Sequence, residues 1–330
     1  MNCARLDREG ATLLGAQSKL RRRVSWGLIL RLCFFSALSL WLSQSALISP
    51  ALDALRALSL ESLATMVATL LLTQVAAALR WYASLRAFFQ PTRSIQRLFA
   101  LSLIGLFYNT WLPGAVGGDL LRAHLAHRGS TSQEDAADQN AEEAQRDIPW
   151  LTRFAPYLIV FFERGMGLIT LISLAICAVA PVVGAVTLSL GAIFIYSLPQ
   201  LKQIQEHSAL RPESARWLVG AALCAYLAHG ASILLFLIAA QDLGIELSLS
   251  AWMGCLPLSL IAANLPLSLF GVGARELTLI ALLGGLGVDR ALALALSLSV
   301  AGVIAITALL GALAHLVMPT EEHAPRESAL

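Results

Sequence analysis

The stretch NTWLPGAVGGDLLRAHL, residues 109–125, decides how this chain is arranged. It follows an apolar run, yet it carries a proline, three glycines, Asp119 and Arg122. A proline removes a backbone donor and clashes with the preceding turn, and glycines adopt backbone geometries that other residues resist. A continuous helix is therefore not expected here. The interruption comprises Pro113, Gly114, Gly117 and Gly118.

The composition around this stretch is that of an integral membrane protein. Of 330 residues, 57% are hydrophobic and only 13% are charged, which is well outside the range of soluble domains. A bilayer core of about 30 Å needs about 20 apolar residues per helix, so we expect an all-α polytopic membrane protein. The stretches that reach or approach this length are 26–48, 63–79, 157–181, 182–198, 217–240 and 291–318.

Two features of these stretches need no functional explanation at this point. The first follows a basic KLRRR segment but is longer than a signal-peptide core, so we expect a retained helix. Arg31 and Arg80 are close to the ends of their stretches, where long basic side chains can reach the interface. The five cysteines indicate neither a disulfide nor a metal site, and no cofactor is expected.

Basic residues mark the connections that should lie in the cytoplasm. Residues 80–97 contain four arginines and no acid, and basic residues also precede the first stretch and occupy residues 199–216. The positive-inside rule then places both termini on the cytoplasmic side of the cell inner membrane. We expect a basic tail over residues 1–23, a membrane domain over 24–318 and a tail over 319–330.

Residues 130–147 differ from the rest of the chain. They hold six acids and one arginine and almost no large apolar residue, so they cannot form a core. We expect a flexible cytoplasmic loop. It is either a docking segment or a tolerated insertion between two membrane elements.

A second stretch, NLPLSLFGVGARE at residues 264–276, has a pattern similar to that of residues 109–125. Asn264 also precedes a proline, glycines and charges. Gly/Pro-interrupted segments in corresponding places of two halves are typical of binding sites in transporter folds. Broken backbone at membrane depth is tolerated only inside protein or beside a wet cavity, so the two segments should meet inside the bundle. A helix restarting after the glycines presents free amides, which favour an anionic ligand. The second interruption comprises Pro266, Gly271 and Gly273.

The distribution of charge predicts which way these segments turn. If residues 98–122 crossed the membrane, the arginines that follow would be external; if the chain turns back near residues 113–118, they stay cytoplasmic. The same reasoning gives a hairpin that enters from the other side over residues 251–286. The sequence therefore predicts an inverted repeat of six full spans and two re-entrant hairpins, or about eight segments by hydropathy alone.

A pair of charges interrupts a third apolar segment, FFERGMGL, residues 161–168. Glu163 and Arg164 fall near the bilayer midplane, where a charge facing lipid costs at least about 2.5–3.5 kcal/mol. Adjacent helix positions do not face one another, so each residue needs a partner elsewhere. We expect Arg164 to pair with Asp119 or Glu276, and Glu163 to pair with Arg275 or Arg122.

This pairing would leave one arginine able to bind a ligand phosphate. The alternative is a buried network that only holds the helices together. His229, within another apolar stretch, is either a proton relay or a hydrogen-bonded interior histidine.

Together the motifs resemble the lysylphosphatidylglycerol synthase transmembrane region, also described as the flippase-like domain family. The resemblance rests on Asn109 with LPG, GGD and Arg122, on Glu163–Arg164 and on LPLSLFGVGARE, and runs from about residue 21 to 318. It implies a domain that moves a lipid across the cytoplasmic membrane, which in the namesake proteins is an aminoacylated phosphatidylglycerol. Because the sequence ends at Leu330, we expect a stand-alone flippase-like protein without the synthase domain, and not an enzyme.

The leading hypothesis is thus a translocator of an anionic or zwitterionic phospholipid, including an aminoacylated one, or of a lipid-linked head group. The alternatives are a membrane enzyme acting on a lipid-linked substrate and an accessory subunit of an envelope-lipid assembly, with a lipid-modifying enzyme or a second copy as partner. Nucleic acid is not expected as a partner, and no metal cluster or ATP-binding motif supports an enzyme. The candidate substrate-binding residues are Asn109, Asp119, Arg122, Glu163, Arg164, Asn264, Arg275 and Glu276; the candidate gate residues are Pro113, Gly114, Gly117, Gly118, Pro266, Gly271 and Gly273.

Overall fold

The computed structural model describes residues 46–88, 94–111, 117–128, 149–180, 212–264 and 273–317, with Cys33, Ser36 and Leu40 as isolated positions. Within these ranges the regular secondary structure is entirely helical, as predicted. The helices are α1 Ile48–Leu55, α2 Leu60–Ala87, α3 Ile95–Trp111, α4 Gly117–Arg128, α5 Pro149–Val179, α6 Ser214–Asp242, α7 Leu249–Ala263, α8 Ala274–Gly285 and α9 Arg290–Val317.

Four of these helices are long and apolar enough to cross a membrane: α2, α6, α9 and the part of α5 from Ile159 to Cys177. They coincide with four of the six predicted spans, which confirms a polytopic helical membrane protein. The predicted span 182–198 and most of the predicted span 26–48 lie outside the described residues. So do both predicted tails and the predicted acidic loop 130–147.

Helices α2 and α6 form a full-length antiparallel pair. At one end, the N–H of Ser59, which caps α2, donates to Asp242 Oδ2 at the end of α6 over 2.8 Å. At the other end, Ser214 Oγ donates to the carbonyl oxygen of Ala87 over 2.5 Å. The start of each helix is therefore tied to the end of its partner.

Helices α3 and α4 form the first hairpin. Gly118 N–H donates to Asn109 Oδ1 over 2.9 Å, and a Cβ placed on Gly105 would lie 3.2 Å from Arg122 Cδ. The later residue of α3, Asn109, contacts the earlier residue of α4, Gly118, and the earlier Gly105 approaches the later Arg122. The two helices therefore run antiparallel, so the chain turns back, as predicted. The turn itself, with Pro113 and Gly114, lies outside the described residues.

Helices α7 and α8 form the second hairpin, with Asn264 at the end of α7 and Gly273 before α8. Gly273 has φ +141°, a geometry that favours glycine. Pro266 and Gly271 lie outside the described residues. The four arms contain 17, 12, 15 and 12 residues, so the longest spans about 25 Å and none reaches the roughly 30 Å of a bilayer core.

The packing repeats itself when the two halves are exchanged. The first hairpin packs through α3 on α9 and through α4 on α5. The second hairpin packs in the equivalent way, through α7 on α5 and through α8 on α9. The two long helices that precede the hairpins, α2 and α6, pack on each other and run in opposite directions. Exchange of the halves therefore inverts the direction of the helices, which is the arrangement of an inverted repeat.

Candidate functional site

A cavity of about 470 Å³ lies between the two hairpins and the long helices, and we call it the charged cavity. It lies at mid-height of α2 and α6, because Gln74 and His229 follow the starts of these helices by 14 and 15 residues. That is about 21 Å along helices of about 42–44 Å. Its lining includes Gln74, Arg80, Asn109, Asp119, Arg122, Glu163, Arg164, His229 and Asn264.

Two ion pairs connect the first hairpin to α5. Asp119 Oδ2 accepts hydrogen bonds from Arg164 Nε over 2.9 Å and from Arg164 Nη2 over 2.6 Å. Arg122 Nη2 donates to Glu163 Oε2 over 2.8 Å, and Arg122 Nε lies 3.1 Å from Asp119 Oδ1. The predicted pairs Arg164–Asp119 and Glu163–Arg122 are therefore confirmed among the alternatives that the sequence left open.

The aromatic ring of Trp81 supports this network from α2. The guanidinium carbon of Arg122 lies 4.7 Å from the centroid of that ring, a cation–π distance. Glu163 is 1% exposed and Arg122 is 6% exposed, so both charges are removed from lipid.

Arg80 corrects one sequence-based interpretation. Its side chain lines the charged cavity, and α2 continues for seven residues beyond it to Ala87, about 10 Å of helix. Arg80 Nε instead lies 3.6 Å from Glu163 Oε1, and its side chain is 14% exposed. Sequence analysis missed Arg80 and Gln74 as cavity residues, although a charge and an amide in an apolar helix were signals that could have found them.

The cavity carries more positive than negative charge. Three arginines, Arg80, Arg122 and Arg164, face two carboxylates, Asp119 and Glu163, in the part of the lining that the structure describes. This described lining therefore carries one more positive than negative charge. An anionic group is the ligand that this imbalance favours.

Several buried polar atoms of the cavity make no hydrogen bond within the described ranges. They are Arg80 Nε, Arg122 Nε, Glu163 Oε1 and His229 Nε2. Arg80 Nε and Glu163 Oε1 face each other over 3.6 Å, and Arg122 Nε lies 3.1 Å from Asp119 Oδ1, so these three atoms have ionic partners without hydrogen bonds. Because an unmade hydrogen bond of a buried polar atom costs free energy, their grouping around one cavity indicates a polar ligand or water there. The expected hydrogen bond of an interior histidine is not formed by this nitrogen of His229.

The second hairpin contributes one end to the cavity, through Asn264, as expected for interrupted segments that meet inside the bundle. Its charges lie elsewhere. Arg275 Nη2 donates to Glu276 Oε1 over 2.8 Å, and Ser297 Oγ donates to the same oxygen over 2.9 Å. Arg275 and Glu276 are 5% and 1% exposed and do not line the charged cavity, so the alternative pairings Arg164–Glu276 and Glu163–Arg275 are not formed.

The amides after the two interruptions are not open to an anion. Gly118 N–H is occupied by Asn109 Oδ1, and Gly273 N–H donates to Glu276 Oε2 over 2.6 Å. The expectation that these helix starts supply free amides is therefore wrong for both glycines, because side chains of the same hairpin cap them. Arginine side chains supply the positive charge of the cavity instead.

The gate glycines within the described ranges have different surroundings. Gly117 is exposed and a Cβ placed on it meets nothing within 4 Å. A Cβ on Gly118 would lie 2.8 Å from the backbone nitrogen of Asn109, so α3 and α4 can approach only because this residue is glycine.

Comparison with known proteins gives one match. A family model described as the lysylphosphatidylglycerol synthase TM region matches residues 28–312. No curated protein and no solved structure matches the chain. In the described part of the chain, no group of three or more histidine, cysteine or acidic residues is arranged to hold a metal ion.

Proposed function

The chain belongs to the lysylphosphatidylglycerol synthase TM region family of membrane proteins, and from this premise we propose that it translocates an anionic lipid through the charged cavity. The observation that carries the proposal is the excess of one positive charge in the described lining of the charged cavity, where three arginines face two carboxylates at mid-height. A phosphate in the cavity matches that charge. The head group is thereby held where an unpaired ion would cost at least about 2.5–3.5 kcal/mol.

Arg80 and Arg164 are the arginines that contact the phosphate. Their side chains are 14% and 27% exposed, against 7% for Arg122. The planar guanidinium group of arginine binds a phosphate through two parallel hydrogen bonds. Asp119 and Glu163 hold the guanidinium groups in place before the lipid arrives.

The carboxylates extend the range of head groups to zwitterionic and aminoacylated lipids. Glu163 Oε1 makes no hydrogen bond among the described residues and is placed to accept one from an amine. Asn109 and Asn264, at the ends of the first arms of the two hairpins, contribute polar side chains to the same lining. Arg275 and Glu276 do not contact the lipid; they act indirectly, by fixing the start of α8.

The inverted repeat provides a mechanism of transport. Movement of one hairpin against the other would open the cavity to one leaflet and then to the other, with the glycines as gates. We place the protein in the inner membrane with both termini cytoplasmic, on the charge distribution of its connections.

A network that only holds helices together is the competing explanation of the charges. It requires the ion pairs but not the empty space beside them. Gly165 separates the two explanations, because it lines the cavity and a Cβ placed on it meets nothing within 4 Å. Gly165→Leu therefore fills the cavity while leaving every ion pair intact.

The test is translocation of a fluorescent anionic phospholipid in proteoliposomes, followed by its accessibility to a membrane-impermeant reductant. We expect Arg164→Gln to slow translocation about tenfold or more, as loss of a charge-assisted contact predicts, and Gly165→Leu to slow it because its side chain occupies the cavity. Gly302→Leu is the matched control, because Gly302 on α9 is also open and lines neither cavity described here. Unchanged rates in both cavity variants would contradict the proposal.

A further inference from the structure

A second cavity, of about 540 Å³, lies between α5 and α7, and we call it the α5–α7 groove. Its described lining consists of aliphatic side chains and one glycine. These include Ile172, Ala175 and Ile176 on α5, and Gly254, Leu258 and Ile261 on α7. No charged or hydrogen-bonding side chain belongs to this described lining, in contrast to the charged cavity.

The groove continues from the charged cavity along both helices. On α5, Gly165 and Leu168 line the charged cavity, and Ile172, one turn further on, lines the groove. On α7, Asn264 lines the charged cavity and Ile261, three residues earlier, lines the groove. Residues spaced by three or four lie on one face of a helix, so a single face of each helix changes from polar to apolar.

We propose that the α5–α7 groove binds one hydrocarbon chain of the lipid whose head group occupies the charged cavity. The inference rests on the proposed function and specifies its substrate. A ligand that is charged at one end and apolar at the other matches the two adjoining cavities in one orientation. A water-soluble phosphate would leave the groove unused.

The dimensions agree with one chain. From Ile172 to Ala180 the groove follows α5 for about 12 Å. One leaflet of a bilayer core is about 15 Å thick, half of the full core, so the groove takes most of the length of one chain. Ile172 and Leu258 are each 44% exposed, which leaves a side through which the chain can enter from lipid.

The inference differs from a translocator that grips only the head group and leaves both chains in the bilayer. If one chain is held by the protein, then its position in the groove depends on residues that bind the head group and do not touch the groove. Loss of Arg164 should therefore remove the chain from the groove. The amount of bulk lipid in contact with the groove would not change when Arg164 is replaced.

The experiment uses the full chain in lipid nanodiscs with phosphatidylglycerol that carries a photoreactive diazirine near the end of one chain. After illumination, the labelled peptides are identified by mass spectrometry. We expect labelling of residues 172–180 and 254–261 that falls about tenfold or more in Arg164→Gln, the loss expected when a charge-assisted contact is removed. Diacylglycerol with the same photoreactive chain and no phosphate should label the groove weakly.

Variants at two open glycines control for folding. A Cβ on Gly254 meets nothing within 4 Å, so Gly254→Leu fills the groove without a clash and should abolish its labelling while phosphatidylglycerol still co-purifies. Gly302→Leu should label like the unchanged protein. Equal labelling by diacylglycerol, or labelling in Arg164→Gln that matches the unchanged protein, would mean bulk lipid only and overturn the inference. Absence of bound phosphatidylglycerol from the unchanged protein would instead overturn the proposed function.

Discussion

Replacement of Gly118 by alanine tests how the first hairpin closes. A Cβ at this position would lie 2.8 Å from both the backbone nitrogen and Oδ1 of Asn109, and closer still to the carbonyl oxygen of Gly105. Ordinary contact begins at 3.4 Å, so Asn109 alone requires a separation of about 0.6 Å, and the closer carbonyl oxygen of Gly105 requires α3 and α4 to move apart by more than that. The obstacle is largely backbone, which cannot rotate away as a side chain can.

The expected cost combines two effects. Overpacking of a close helix contact typically costs about 1–3 kcal/mol, and separation also weakens the 2.9 Å hydrogen bond from Gly118 N–H to Asn109 Oδ1, which contributes about 0.5–1.5 kcal/mol. We therefore expect the free energy of unfolding to fall by about 2–4 kcal/mol. Translocation should slow as well, because Asp119 and Arg122 follow on the displaced helix.

The neighbouring glycine is the control. Gly117 is exposed and open, so Gly117→Ala should be neutral, or more stable by up to about 1 kcal/mol because alanine favours the helix. Both variants are compared by thermal unfolding in one detergent and by lipid translocation. If Gly118→Ala unfolds at the same temperature as Gly117→Ala, the close approach of α3 and α4 is not a feature of the folded protein.

Four further variants test the packing and the charges. Gly311→Ala should lower the unfolding temperature, since a Cβ there lies 2.6 Å from the carbonyl carbon of Leu103, whereas Gly302→Ala should not; equal temperatures would contradict the contact of α9 with α3. Glu163→Gln should destabilise by about 3–5 kcal/mol because it removes the buried carboxylate that faces both Arg80 and Arg122, although Asp119 remains as a partner of Arg122. The double variant Arg122→Met/Glu163→Leu should recover part of that stability but not translocation, and full recovery of transport would favour a purely structural network. Ser297→Ala should lower the free energy of unfolding by about 1–3 kcal/mol without changing the Kd for phosphatidylglycerol. Weaker binding would mean that the cluster of Arg275, Glu276 and Ser297 affects the ligand.

The hairpin of α3 and α4 was predictable because prolines and glycines act locally. A proline followed within a few residues by several glycines ends the helix here, whereas the isolated Pro257 does not end α7. The arginines that follow the first interruption indicated that the chain turns back. The charge pairs were predictable only as alternatives. Electrostatics required partners for Glu163 and Arg164, but only the packing of α4 on α5 selects Arg122 and Asp119.

The errors of the sequence-based predictions also have specific causes. Arg80 was assigned to the interface because hydropathy falls where a charge occurs, although α2 continues past it to Ala87. Arg275 and Glu276 pair with each other despite being adjacent. Glu276 folds back to cap Gly273, which brings its other oxygen to Arg275, and the rule that neighbouring side chains diverge does not hold at a capped helix start.

Native mass spectrometry of the lipids that remain bound is the most direct test of the charged cavity. The unchanged protein and the double variant Arg80→Gln/Arg164→Gln are extracted from the same mixture of phosphatidylglycerol and phosphatidylcholine. The excess of positive charge in the described lining predicts that phosphatidylglycerol stays bound to the unchanged protein and to Gly302→Leu, and is lost from the double variant. Equal retention of phosphatidylglycerol by the double variant would contradict an anionic head-group site at mid-height.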